Sequence, residues 1–353
     1  MNGIPRVLIL HAYSADNAGD GLLVRETLAL LEEAFGTVDA TMLASRPDSF
    51  ADLGIPTLPT VPTTRGWDRR TRAVLRRIDD FDLVVGVGGG YLRAGTPVEL
   101  LKAALVMGPQ LLAASRSSTP SVYLPQSIGP ARFGTRGVLT RLLRQIDVVM
   151  VRDDRTFDEV AGPTLVRTPD LAAASIAAAR RAGASVAEKP VLSIRSVHGR
   201  INPDIYALAD RISPYDGYIQ STIGGNDDRP ASATLSPART IERGELMGAE
   251  AAPRVVVAVR LHAALMALAA GHYVVHLAYE RKGFGAFDDL GIAPWVHRVN
   301  GFDVDTVASQ VHGLLTDQAV RDDYDARLMG SAEKIRTART DIVLSLQSAV
   351  GGR

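Results

Sequence analysis

RVVVAVRLHAALMALAAGHYVVHLAYERK, residues 254–282, is the stretch from which the fold is read. After Arg254, residues up to 259 are apolar without in–out alternation, the pattern of a parallel strand covered on both faces. An Ala- and Leu-rich run at 263–270 follows at once and predicts a helix, which Gly271 ends. Residues 272–277, HYVVHL, regain β-branched strand character, and Tyr279, Arg281 and Lys282 come after them. Two strands joined by one helix in so short a span form a crossover unit, and such a unit requires parallel pairing.

The same punctuation recurs outward from this segment. Strand-like runs at 6–11, 38–43, 81–87, 121–125 and 148–151 alternate with helical patterns at 21–35, 68–79, 98–114 and 137–145. Asp20 is placed to cap the helix at 21–35. A second series, 190–195, 206–212 and 217–220, leads into the quoted segment, and helices at 303–315 and 317–346 close the chain. The Ala-rich passage at 169–189 separates the two series. The expectation is an α/β protein of two Rossmann-like parallel-sheet domains facing a cleft, residues 1–178 and 179–353, with the terminal helices packing back near the N-terminal half. Ligands of such sheets bind beyond the carboxyl ends of the strands.

Composition narrows the function classes. The chain has 353 residues, enough for two domains, and 46% hydrophobic against 22% charged residues is an ordinary globular mix. Lys plus Arg and Asp plus Glu number 39 each, so no net field attracts nucleic acid or an acidic membrane. The Arg-rich run at 65–77 reads as a solvated helix face or as a docking surface for an anionic partner. With no cysteine, disulfides, thiolate catalysis and zinc–thiolate sites are excluded. The first ten residues lack a signal-peptide layout, and a cytoplasmic location is expected.

Several motifs bear on chemistry. The run Gly88-Gly89-Gly90 follows a strand, but Tyr91 stands where the dinucleotide fingerprint requires glycine, and no Gly-Lys-Ser/Thr follows. A ligand-facing loop and a structural turn both fit it. Asn17 to Asp20, in the loop after the first strand, fit a turn with a helix cap as well as a substrate contact. The sharpest signal is Arg260-Leu261-His262. A strand ends there and a helix begins, so unpaired N–H groups at the positive helix end meet a guanidinium and an imidazole. Lys282 beyond the next strand adds positive charge, and a phosphate ligand accounts for the helix start, Arg260, His262 and Lys282 together. Arg195, beyond the first strand of the second series, fits a surface arginine as well as a further cation of the site. Glu280 is the only acid evident near the turn. His198 carries no assignment, and His297 and His312 lack chemical neighbours in the sequence. His272 and His276 have a spacing that on a helix could grip a metal, but along a strand it spans about 13 Å, so no metal site is expected.

HAYSADNAGDGLLV (11–24), DLVVGVGGGYL (82–92), YLPQSIGP (123–130), VVMVRDDRT (148–156), TPDLA (168–172) and the stretch at 259–282 resemble, in order and spacing, the motifs of the polysaccharide pyruvyl transferases. The resemblance spans residues 7–291. It implies a fold like that of GT-B glycosyltransferases, phosphoenolpyruvate as donor substrate with no further cofactor, and a pyruvate ketal on a glycan or lipid-linked glycan as product. It also leaves room for peripheral membrane contact. It places the donor on Arg260, Leu261, His262 and Arg195; His262 and Arg260 are the catalytic candidates, and Lys282 is expected to neutralise remaining charge. The acceptor side falls on Asn17, Asp20, Gly88, Gly89, Gly90 and Gln126. Family members often have Gly where His11 stands and Glu where Gly21 stands. Two other readings fit the same pattern: a nucleotide-sugar-dependent glycosyltransferase and a non-catalytic glycan-binding member.

Overall fold

Strand β1, Arg6–Ala12, is buried at every position after the first. Its alternate residues feed two different cores: Val7 and Ile9 pack with one apolar cluster, Leu8 and Leu10 with another. β4, Leu83–Gly86, divides likewise, with Leu83 and Val85 on one side and Val84 on the other. A sheet with apolar residues on both faces must be covered by helices on both, so these strands show no alternation in the sequence.

These strands belong to the first of two units in the computed structural model, which describes residues 3–160, 164–173, 176, 185–197, 199–222, 227–248 and 252–351. The unit holds a seven-stranded parallel sheet in the order β3-β2-β1-β4-β5-β6-β7. The remaining strands are β2 (Asp39–Ala44), β3 (Thr57–Pro59), β5 (Ser121–Gln126), β6 (Val148–Val151) and β7 (Leu165–Arg167). Registers such as Leu8↔Val84 and Val85↔Val122 place β1, β4 and β5 side by side. The terminal helix Gln318–Gly351 belongs to this unit from Thr337 onward. Its Ile342, Val343, Leu346 and Val350 join the β1 core, and Arg339 reaches Glu33 at 2.8 Å and Glu26 at 3.1 Å.

The helix expected at 98–114 begins at Pro97 behind a capping box of Thr96 and Glu99. It runs through Pro97–Lys102, a π turn at Ala103–Met107, and Gly108–Ala114. Pro109 has no N–H to give to Leu105 four residues back. The Leu105 carbonyl accepts instead from Trp67 Nε1, at 2.9 Å.

The second unit comprises Asn17–Gly19 and Ala172–Arg336. Its six strands are parallel in the order β10-β9-β8-β11-β12-β13. They are β8 (Val191–Ser193), β9 (Asp216–Tyr218), β10 (Thr240–Ile241), β11 (Val255–Ala258), β12 (Tyr273–Ala278) and β13 (Val296–Arg298). The helix Leu261–Ala269 joins β11 to β12 and buries seven of its residues, which is why it is apolar all round.

Particular expectations change. The boundary placed at 178/179 lies outside the described residues, and the two units exchange short segments, Asn17–Gly19 in one direction and the end of the terminal helix in the other. The edge strands β3, β7, β10 and β13, two or three residues each, are too short for periodicity to reveal. The first long helix begins at Ala18, not at 21. Asp20 therefore lies inside its first turn, and Asn17 precedes the helix with its Oδ1 accepting from Gly19 N at 3.3 Å.

Candidate functional site

In the second unit, β8, β11 and β12 are neighbours, with Ala258 paired to Ser193 on one side and His276 on the other. Parallel strands end on the same side, so the residues just past each strand converge. Those are Arg195 after β8, Arg260 after β11, and Arg281 and Lys282 after β12. The chain supplies them from three separate segments, and the strand order gathers them.

Arg260 is the N-cap residue of Leu261–Ala269, with extended backbone angles (φ −84°, ψ 129°). Its carbonyl accepts the first helical bond, from Ala264 N at 3.0 Å. A helix start leaves its leading N–H groups without intrahelical acceptors, at the positive end of the helix dipole. Leu261 is 4% exposed, so its side chain belongs to the core and only its backbone N–H faces the turn. His262 is half-buried. Gly19 lies against it: a Cβ on Gly19 would sit 2.2 Å from His262 Cγ.

Arg260 is held by a residue that the sequence does not flag. Asp228 accepts both arms of its guanidinium, from Nε at 2.7 Å and Nη2 at 2.8 Å. The side chains are 13% and 3% exposed. Burial raises the Asp228 carboxyl above the usual range, while its bonds to Arg260 and the nearby charges of Arg260 and Arg195 oppose that rise. Asp228 lies 32 positions upstream of Arg260, in no recognisable motif, and only the fold brings it in. It corrects the expectation that Glu280 is the sole acid by this turn.

Arg195 donates from Nη1 to the Tyr279 hydroxyl at 3.1 Å and lies 5.1 Å from the centre of that ring. Lys282 is not at a strand end, as expected, but in the first turn of the helix Arg281–Asp289, with Nζ 2.8 Å from Glu280. The helix after β12 is not evident in the sequence, because the Gly-containing stretch RKGFGAF has weak helix character. His272 and His276 are fully buried. The His272 ring meets Arg254 N at 3.1 Å and the Leu246 carbonyl at 2.5 Å, and His276 Nδ1 meets the Ala258 carbonyl at 2.8 Å. Burial pushes the His276 pKa down to about 4, so this ring is neutral near pH 7.

In the first unit, Gly88–Gly90 and Ser127 extend the β4–β5 pairing, with Gly89 N bonded to the Pro125 carbonyl and Ser127 N to the Gly89 carbonyl. A Cβ on Gly88 would lie 2.8 Å from that Pro125 carbonyl, and Gly89 has φ +147°. Both positions therefore serve the turn itself. A Cβ on Gly90 would meet only Arg152 Nη2, at 3.7 Å. Gln126 is fully buried. Arg152 and Asp170 form a buried ion pair at the ends of β6 and β7, and Arg152 Nε donates to Ser127 Oγ at 3.1 Å. Both stood in motifs that the sequence displays, VVMVRDDRT and TPDLA, but nothing in their spacing announces the pair.

His11, where the resembling family often has glycine, adopts φ +70°, the region that favours glycine. Its ring stacks on Tyr91 at 4.5 Å and reaches the Tyr123 hydroxyl at 3.0 Å. Burial lowers its pKa to about 3. Beyond the carboxyl ends of β1 and β2 opens a cavity of about 690 Å³ lined by Tyr13, Asp16, Arg46, Asp48, Ser49 and Lys102, among others.

A family model described as polysaccharide pyruvyl transferase matches residues 17–281. No curated protein matches the chain. Among solved structures, Anabaena Alr3699/HepE in complex with UDP is similar at a TM-score of 0.57 and 14% identity, over 97% of this chain and 100% of that one. A UDP-forming trehalose-phosphate synthase from Burkholderia xenovorans is similar at 0.54 and 11%, over 98% and 99%. An E. coli structure, trehalose-6-phosphate bound with UDP-2-fluoro glucose, is similar at 0.55 and 12%, over 97% and 99%. At such identities the likeness shows the fold, two parallel-sheet units of the GT-B kind.

Proposed function

Since the chain belongs to the polysaccharide pyruvyl transferase family, we propose that this transferase moves the pyruvyl group of phosphoenolpyruvate onto two hydroxyls of a glycan, forming a ketal. The observation that carries the reading is the placement of Arg195 and Arg260 just past the neighbouring strands β8 and β11, with Lys282 in the first turn of the helix that follows β12, on the side of the sheet where Leu261–Ala269 begins. The proposed donor is small and carries a phosphate and a carboxylate. Two guanidiniums and a helix N-terminus suit such a ligand, the guanidiniums by their forked geometry.

The chemistry asks for a proton at the methylene carbon, which leaves an oxocarbenium-like centre. A sugar hydroxyl attacks that centre, phosphate departs, and a second hydroxyl closes the ring. Cations that stabilise the departing phosphate in a site shielded from water contribute most. Arg260 is set for that role because Asp228 fixes its fork before any ligand arrives. His262, on the first turn of the same helix, is our candidate for proton transfer, which would contribute about 10²- to 10⁴-fold. For the acceptor we favour the cavity at Tyr13, Asp16 and Lys102 over Gly88, Gly89 and Gln126, which are buried in the strand ends. Aromatic, carboxylate and hydroxyl groups in one cavity suit sugar rings.

Calorimetric titration of phosphoenolpyruvate tests the reading, with phosphate release measured in the presence of glycan acceptors. Binding to the wild-type chain and at least tenfold weaker binding to Arg260→Ala are expected. Binding of UDP-sugars in place of phosphoenolpyruvate would establish the glycosyltransferase reading. The two acids by the turn, Asp228 and Glu280, are engaged by Arg260 and Lys282, which disfavours their use on a ribose.

A further inference from the structure

The helix at 97–114 is long and apolar enough to cross a membrane, yet only 28% of it is buried. It lies on the first unit, with Met107, Gln110, Leu111 and Ala114 facing inward. Its outer side carries Val98, Leu101 and Leu105, which are 69%, 60% and 38% exposed. Their spacing puts them on one face. Trp67, also exposed, is fastened to this face by its bond to the Leu105 carbonyl. Exposed Val61 lines a cavity together with Lys102 and Val106 of the same helix. Exposed large apolar side chains clustered on one side of a unit mark an interaction site.

Positive charge surrounds it. Arg72, Arg76 and Arg116 line a groove with Trp67, Pro109 and Leu112. Arg65 and Arg69 flank Trp67, and Lys102 follows Leu101. All six cations are exposed. Of the neighbouring acids, Asp48 lines the cavity with Val61 and Lys102, and three others are engaged elsewhere. Asp68 caps its helix, Asp79 accepts from Ser117 and Ser118, and Glu99 completes the capping box and pairs with Arg93. Arg65, Arg69, Arg72, Arg76, Lys102 and Arg116 take part in none of the ion pairs among the described residues, while Arg77 pairs with Asp80.

We propose that this face, Val98, Leu101 and Leu105 with Trp67 and the cations around them, docks the protein on an anionic phospholipid surface. The apolar side chains enter the headgroup–acyl boundary, Trp67 sits at the interface, and the guanidiniums meet lipid phosphates. The chain carries no net charge overall, so this attraction comes from the patch itself. The inference does not depend on the pyruvyl-transfer reading, although a membrane-docked enzyme would meet a lipid-linked glycan.

The test is co-sedimentation of the full chain with vesicles of phosphatidylcholine alone and of phosphatidylcholine with phosphatidylglycerol, at low and high salt. Light scattering is measured in parallel without lipid. The wild type should pellet with the anionic vesicles, weakly with the neutral ones, and less at high salt. Each cation near the surface is worth about fivefold in partitioning, so Arg72→Glu/Arg76→Glu should weaken it by at least about tenfold. Val98→Ser/Leu101→Ser should do so too, with unchanged thermal unfolding, since both side chains are exposed. Failure to pellet with anionic vesicles would overturn the proposal, as would undiminished binding by both variants. A dimer that Val98→Ser/Leu101→Ser dissociates would assign the face to a second copy of the chain and overturn it equally.

Discussion

Replacing Arg260 with alanine should destabilise the second unit in a pH-dependent way, because it strands a buried carboxylate. Asp228 is 3% exposed and takes two bonds from Arg260, at 2.7 and 2.8 Å. Breaking a buried pair by removing one partner costs about 3–5 kcal/mol. Arg260 keeps some contact with solvent, so we expect about 3 kcal/mol at pH 7.5. Asp228→Ala should cost less, since the freed guanidinium can turn toward water. The double variant should lose clearly less than the sum, by about 2 kcal/mol of coupling. The pH dependence follows from linkage. The Asp228 carboxyl is already raised in the folded protein. A raised acid stabilises the fold below its unfolded pKa, and that stability is lost as pH rises through the folded pKa. Without Arg260 the folded pKa rises further, which widens the window upward. The penalty of Arg260→Ala should therefore grow from mildly acidic toward neutral pH and shrink on acidification. Urea unfolding of the wild type, both single variants and the double variant, across that range, measures all of this. Additive losses, a penalty below about 1 kcal/mol at pH 7.5 or a penalty independent of pH would refute the reasoning.

Three further outcomes are expected. His11 and His276, held down to about 3 and about 4 by burial, stabilise the fold above their unfolded pKa near 6.5. That stability should fall by about 1.4 kcal/mol per pH unit for each ring as pH drops from about 6.5 toward those values. Urea melts between pH 7 and 5 that show no such slope would contradict it. Gly19→Ala, whose Cβ would lie 2.2 Å from Cγ and 2.4 Å from Cβ of His262, forces that residue to move and should lower turnover at least tenfold, together with the unfolding midpoint. Steady-state phosphate release beside thermal unfolding measures both, and full turnover would show that the His262 position does not matter. Gly88→Ala should cost about 1–3 kcal/mol, because its Cβ meets the Pro125 carbonyl at 2.8 Å. Gly90→Ala should stay within about 0.5 kcal/mol, since it meets nothing closer than 3.7 Å. Equal denaturation midpoints for the two would count against this account of the triplet.

The fold class and the arginine–histidine turn are legible in the order of residues alone. Short, Val-rich apolar runs such as 255–259 suit strands covered on both faces. Arg260 and His262 belong to a strand end and a helix start that are adjacent in the chain, and local adjacency is what periodicity and capping rules read. Tertiary structure alone decided what surrounds that turn. Asp228 reaches Arg260 from 32 positions away, and Arg152 meets Asp170 across the ends of neighbouring strands. The exposed face of Val98, Leu101 and Leu105 is equally invisible beforehand, because the sequence at 97–114 is apolar on every side but for Glu99, Lys102 and Gln110. Only packing shows which of its sides the sheet covers and which it leaves to the surroundings. Burial and long-range ion pairing depend on which strands become neighbours, and strand order is set by the packing of the whole unit, not by any local run of residues.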